Sequence, residues 1–262
     1  MRFNQYQPSP QLADYIHFYW TMESDEPEIV SEIVYPTGEP QILFHLAEPF
    51  RETDAQGHKI TQPVSVISGQ LLEYKHVTTT GLTSMLGIYF HPYGLRSFVN
   101  LPMQELTGVV TDLSDLRPAW NEVGERLSQC PNWPGRITLL EQFLLNSIRS
   151  PEEDELRPVR QAIRLFNQMN PSNGLSLINR EIGVSDRQQE RLFRDLIGLT
   201  PARFAKIVRL ERAMQLLKTD LSLTRIAHAS GYFDQAHFNH DFLHFVGLTP
   251  GQCRKIACNS EY

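Results

Sequence analysis

The chain has 262 residues, 41% of them hydrophobic, which is enough for a sizeable core and, at this length, for two domains rather than one. The formal net charge of −6 hides a split: residues 1–155 hold 9 Lys+Arg against 21 Asp+Glu, whereas residues 156–262 hold 15 against 9, so an acidic body precedes a basic carboxy-terminal third. There is no apolar run of about 18 residues, no basic-then-apolar secretory pattern at the amino terminus, and no disulfide-framework or zinc spacing among Cys130, Cys253 and Cys258, so a cytoplasmic protein with reduced thiols and no membrane partner is expected.

Up to about residue 116 the pattern is one of short β-rich segments, among them "EIVSEIVYP", "EPQILFHLAEP", "PVSVISGQ" and "SMLGIYFHPYG", with Pro, Gly, Asp and Asn between them. Such punctuation predicts a barrel or sandwich. Residues 118–149 switch to helical spacing, with Val123, Leu127, Ile137, Leu140, Leu144 and Ile148 in register for two amphipathic helices. That stripe is broader than a linker needs. It packs on the β domain or joins two subunits, and a homodimer through it is the favoured expectation.

Beyond the acidic "SPEEDEL" stretch the chain reads as helix, and "IGLTP" at 197–201 is echoed by "VGLTP" at 246–250. Each echo closes a similar unit. The first has a short helix, a turn glycine at Gly183, an N-cap at Ser185 and a helix with Leu192, Phe193 and Leu196 inward; the second has Gly231, Asp234 and a helix with Phe238, Phe242 and Phe245 inward. Both units have the outline of a helix-turn-helix. Thr200 and Thr249 then cap a following helix that starts at Pro201 or Pro250. Between the units, "PARFAKIVRLERAMQLLKTD" reads as one long helix that would hold two recognition helices at fixed separation.

With these residues in view, the stretch from about Val159 to Lys255 resembles the DNA-binding domain of the AraC/XylS family of bacterial transcription regulators, most specifically in "RLERAMQLLKTDLSLTRIAHASGYFDQAHFNHDFLHFVGLTPGQCRK". The amino-terminal segment, through "PSPQLADYIHFYW", "PTGEPQILFHL", "VISGQ" and "IYFHPYGLRSF", more loosely resembles a poorly characterised β-rich sensor domain of some members. The resemblance implies a two-domain α+β protein: residues 1–116 a β-rich barrel or sandwich, for which a cupin-like form is one option, residues 117–150 helical linker, and residues 157–258 an all-α domain with two helix-turn-helix motifs. It implies double-stranded operator DNA as partner, RNA polymerase and a small-molecule effector as further partners, no cofactor and no catalysis. Base-edge contacts carry over to Arg187, Glu190 and Arg191 in the first unit and to Gln235, Ala236, Asn239 and His240 in the second. Phosphate contacts carry over to Arg194, Arg203, Lys206 and Arg209. Arg pairs bidentately with guanine, and Gln or Asn with adenine.

Three departures stand out. Gln189 occupies a position that is usually apolar and inward, and Asn179 one that is usually a small Ala, so looser packing of the first unit is expected. His240 replaces a common Arg and leaves the second recognition helix short of permanent charge. A metal site from His237, His240 and His244 is the rival reading of that helix, but single-helix histidines commonly point to solvent. The other rival is a metal- or small-molecule-binding cupin-like enzyme or effector protein with an accessory helical domain. His17, His45, His76 and His91 would be its centre, yet no HxH with a nearby Glu occurs. Tyr15, Phe18, Tyr19 and Trp20 read first as core.

Overall fold

The computed structural model describes residues 1–149, 151–168 and 175–259, and no helix among them is long and apolar enough to cross a membrane. The amino-terminal part is built on two antiparallel sheets. Strands β1 (Arg2–Tyr6), β2 (Ile16–Glu23), β4 (Gln41–His45), β7 (Ser65–Ser68), β9 (Ser84–Phe90) and β10 (Val110–Asp112) form a six-stranded sheet in the order β1-β2-β9-β4-β7-β10. Strands β3 (Ser31–Val34), β5 (Arg51–Asp54), β6 (Lys59–Thr61) and β8 (Lys75–Thr78) form a four-stranded sheet in the order β3-β8-β5-β6.

Alternation sorts the large sheet into two faces. A bulge at His17, where Ile16 pairs with Phe90 but Phe18 with Tyr89, puts Ile16 and Tyr19 on the same side despite their odd spacing. That side also carries Ile42, Phe44, Leu86, Ile88 and Phe90, and it packs against helices α2 (Ala119–Gln129) and α3 (Trp133–Ser147), which follow the single turn α1 (Leu113–Leu116). Trp120 lies 6.3 Å from Phe44 and 4.7 Å from Phe143, centroid to centroid. Here the expected subunit-joining stripe is corrected: Val123, Leu127, Leu140 and Leu144 are buried inside this core, because the sheet's apolar face needs a cover and these helices supply it. The opposite face carries Phe18, Trp20, Leu43, Met85 and Tyr89 toward the small sheet. Gly87 is required there, since a Cβ would collide with the indole of Trp20 lying across it.

The carboxy-terminal part is helical throughout: α4 (Glu153–Gln168), α5 (Leu175–Ile182), α6 (Asp186–Leu196), α7 (Pro201–Leu217), α8 (Leu223–Ala229), α9 (Gln235–Val246) and α10 (Pro250–Asn259). Two cores share α7. Its first half puts Phe204 and Ile207 into a cluster with Phe166, Ile178, Leu192, Phe193 and Leu196, in which the rings of Phe166, Phe193 and Phe204 meet edge to face at 5.7–6.0 Å. Its second half puts Leu210, Ala213 and Leu217 against Ile226, Tyr232, Phe238, Phe242 and Phe245. One helix is therefore the common wall of two bodies.

Candidate nucleic-acid interface

Local chemistry explains both turns. After α5, Gly183 adopts φ +71°, and the Ser185 hydroxyl caps α6 by accepting from the Gln188 N–H at 3.2 Å. After α8, Gly231 adopts φ +88°, and Asp234 caps α9 by accepting from the His237 N–H at 2.7 Å. Past each recognition helix, Thr200 accepts from the Arg203 N–H, while Thr249 and Gln252 cap each other reciprocally. The glycines of the two echoes have a role that the sequence did not disclose. Gly198 (φ +93°) follows the carboxy terminus of α6, and Gly247 (φ +73°) is the left-handed C-cap of α9.

Both glycines are also where the amino-terminal domain touches the recognition helices. A Cβ on Gly198 would stand 2.6 Å from the Thr107 hydroxyl, which donates to the Gly198 carbonyl at 2.7 Å; a Cβ on Gly247 would stand 2.6 Å from the ring of Tyr74. Arg96 faces Asp195 at 3.8 Å and His244 faces Glu73 at 3.9 Å. Pro102 and Gln104 form one side of a groove whose other side is Arg187, Glu190, Arg191 and Arg194 on α6.

On α6, Arg187, Glu190, Arg191 and Arg194 are all exposed on one side, opposite the buried Leu192, Phe193 and Leu196. Arg191 holds Glu155 of α4 with both Nη atoms at 3.2 Å, and Arg194 holds Glu190 at 2.9 Å. Arg187 makes no ion pair among the described residues. Asn179 and Gln189 are buried as their positions require. Asn179 donates to Asp186 at 2.5 Å and so ties α5 to the first turn of α6, whereas the Gln189 amide nitrogen has no partner among the described residues.

On α9, Ala236, Asn239 and His240 are exposed and Gln235 is half-buried, its carbonyl oxygen accepting from the Thr224 hydroxyl at 2.7 Å. Asp241 is 3% exposed and gathers the nearby basic side chains: Lys206 at 3.2 Å, Arg209 at 3.9 Å, and the imidazoles of His237 at 3.5 Å and His240 at 3.9 Å. Arg209 lies 5.0 Å over the ring of Tyr232. Arg203 donates to the Leu72 carbonyl at 3.3 Å. The three α7 residues read from the sequence as phosphate contacts thus have protein partners in this state, and Asp241, next to His240 in the chain, is the hub of two of them. His237 and His244 turn to Asp241 and Glu73 rather than to each other, and no metal-binding group of His, Cys, Asp or Glu occurs among the described residues.

Residues 178–256, which span both units from α5 to α10, match the family model described as a helix-turn-helix domain. A crystal structure of a transcriptional regulator with an AraC-type DNA-binding domain, from Chromobacterium violaceum, is 30% identical over 42% of this chain and 98% of its own (TM-score 0.38). The chain belongs to the AraC/XylS family. It is 31% identical over 134 residues to the HTH-type transcriptional regulator CdhR of Pseudomonas aeruginosa, covering 46% of this chain and 40% of that protein. This AraC/XylS chain therefore spans well under half the length of the curated relatives it matches. Its two-domain fold is similar to that of ToxT from Vibrio cholerae, in a structure bound to (E)-4-(8-methylnaphthalen-1-yl)but-3-enoic acid, with a TM-score of 0.50 over 88% of this chain and 99% of that one at 9% identity. Residues 4–112 match a domain of unknown function (DUF6597).

Proposed function

We propose that the chain is a sequence-specific transcription regulator that reads two adjacent major-groove segments of operator DNA, one with each recognition helix. The observation that carries this is the shared α7: its 17 residues, about 25 Å of helix by rise, join two helix-turn-helix bodies into one rigid unit. Successive major-groove faces on one side of DNA are about 34 Å apart, a separation such a unit suits. Arg187, Glu190 and Arg191 meet base edges in the first segment, and Gln235, Ala236, Asn239 and His240 in the second. Arg194 meets the backbone, and Lys206, Arg209 and Arg203 join it once released from Asp241 and Leu72. Effector binding in the β domain acts by loosening its hold on Gly198 and Gly247. RNA polymerase is the downstream partner and the cytoplasm the site of action. A homodimer would use a surface other than the buried 118–149 stripe.

The test is fluorescence anisotropy with DNA from the chain's own upstream region. Arg187→Ala should lower specific affinity by about 1–3 kcal/mol and relax preference at one base pair. Equal loss on every sequence would make Arg187 a backbone contact, and no binding by the wild-type chain to any genomic fragment would remove the reading.

A further inference from the structure

The layer between the two sheets is underfilled. Trp20, Phe50 and Met85 are its buried apolar residues, while Met22, Leu43 and Val77 are only partly covered around a cavity of about 230 Å³. That is room for on the order of ten non-hydrogen atoms. The helix-facing side of the same large sheet is closely filled, so the space belongs to this layer alone.

Its charge is uneven. The small sheet's register sets Glu32 and Glu52 on either side of Val77, all three facing the cavity, with Lys75 two residues along β8. Glu52 is saturated: Lys75 reaches one oxygen at 2.6 Å and the Gln62 amide donates to the other at 3.1 Å, with Gln62 in turn bonded to His45 at 3.0 Å. Burial holds the His45 imidazole down to about 4, so it brings no positive charge near neutrality. The Met1 ammonium at the rim is taken up by Glu28 at 3.9 Å, whereas Glu32 has no ion pair among the described residues, so once these pairs are set aside its carboxylate is the unmatched charge of the lining. The facing wall is aromatic. Trp20 lies 5.7 Å from Phe3 and 6.4 Å from Tyr89, and Tyr89 lies 4.9 Å from Phe18.

A carboxylate excess opposite π faces selects against anions and for cations. We propose that this cavity binds an organic ammonium ion, its positively charged nitrogen between Glu32 and the Phe3–Trp20–Tyr89 wall and its apolar body toward Leu43, Phe50 and Met85. The inference rests on reading the amino-terminal domain as an effector domain. Tyr89 also walls the cleft between the domains, where Glu211 of α7 lies, so an occupant that moves this ring acts on the helix that both DNA-reading units share.

The experiment is isothermal titration of the full chain at pH 7.5 and fixed ionic strength with three probes of similar bulk: benzyltrimethylammonium, 4-tert-butylbenzyl alcohol and 4-tert-butylbenzoate. The cation should bind once per chain and at least about tenfold more tightly than either of the others. Glu32→Gln, at an exposed position that leaves the buried Glu52–Lys75 pair intact, should bring it down to the level of the alcohol with unchanged thermal unfolding. Equal or tighter binding of the alcohol or the benzoate, no heat from the cation, or an unchanged affinity in Glu32→Gln would overturn the proposal. DNA binding by the same preparation is measured separately: if it is intact while the cation fails to bind, only the ligand assignment falls.

Discussion

Asp241→Asn should weaken the second helix-turn-helix and strengthen indiscriminate DNA binding at the same time. The wild-type carboxylate is almost wholly buried and is the common counter-charge of Lys206 at 3.2 Å and Arg209 at 3.9 Å. Removing one partner of a fully buried pair costs about 3–5 kcal/mol. Lys206 is nearly half exposed and can turn to water, so the loss here should be nearer about 2–3 kcal/mol, mostly from Arg209, which is only 15% exposed. In urea unfolding the variant's midpoint should fall with little change in slope. The released cations point from α7 beside the recognition helix. If both reach phosphates, the plot of log K against log salt steepens by up to about 1.8. A variant with wild-type stability and wild-type salt slope would refute the reasoning, because Asp241 would then neither compensate those cations nor withhold them.

Three further outcomes follow from the geometry. Burial first, and then the charge of Glu39, push the Glu211 carboxyl up to about 7 from an unfolded value near ~4.3, so the folded state holds the proton more tightly; stability is in place below about 4.3 and is lost as pH rises through about 7. Glu211→Gln should therefore be more stable than wild type at pH 8, by up to about 3 kcal/mol, with no difference near pH 4, as thermal melts across that range will report. Leu140→Ala should lower the stability of the amino-terminal core by about 2–5 kcal/mol while leaving the sedimenting mass unchanged, since Leu140 is fully buried within one chain; a change of mass would restore the subunit-joining role. His240→Arg, at an exposed position on α9, should tighten specific DNA binding at pH 7.5 by up to about 1–3 kcal/mol if a guanine lies opposite, and an unchanged Kd would remove His240 from the set of base contacts.

What the sequence disclosed and what it did not divide along a physical line. The two helix-turn-helix units were legible because their signals are local: turn glycines at 183 and 231, caps at Ser185, Asp234, Thr200 and Thr249, and inward Phe at helical spacing. The β-rich character of the amino-terminal domain was legible for the same reason. The fate of the 118–149 stripe was not, because periodicity shows that a face is apolar but not which surface covers it. Nor were the partners of Lys206 and Arg209, since Asp241 lies more than thirty residues away and meets them only once α9 packs on α7. Gly198 and Gly247 belong to the two echoes, and their contacts with Thr107 and Tyr74 arise only once the two domains pack together. The cavity was invisible for a related reason: Glu32, Val77 and Glu52 become neighbours through strand register alone.

In the proposed function, one chain places two recognition helices in successive major grooves on a single face of DNA. Hydroxyl-radical footprinting of the full chain on its best-bound genomic fragment tests it directly. Two protected stretches centred about 10–10.5 base pairs apart on the same face are expected, with protection of one lost in Arg187→Ala and of the other in Asn239→Ala. A single protected stretch that both substitutions weaken equally would contradict it.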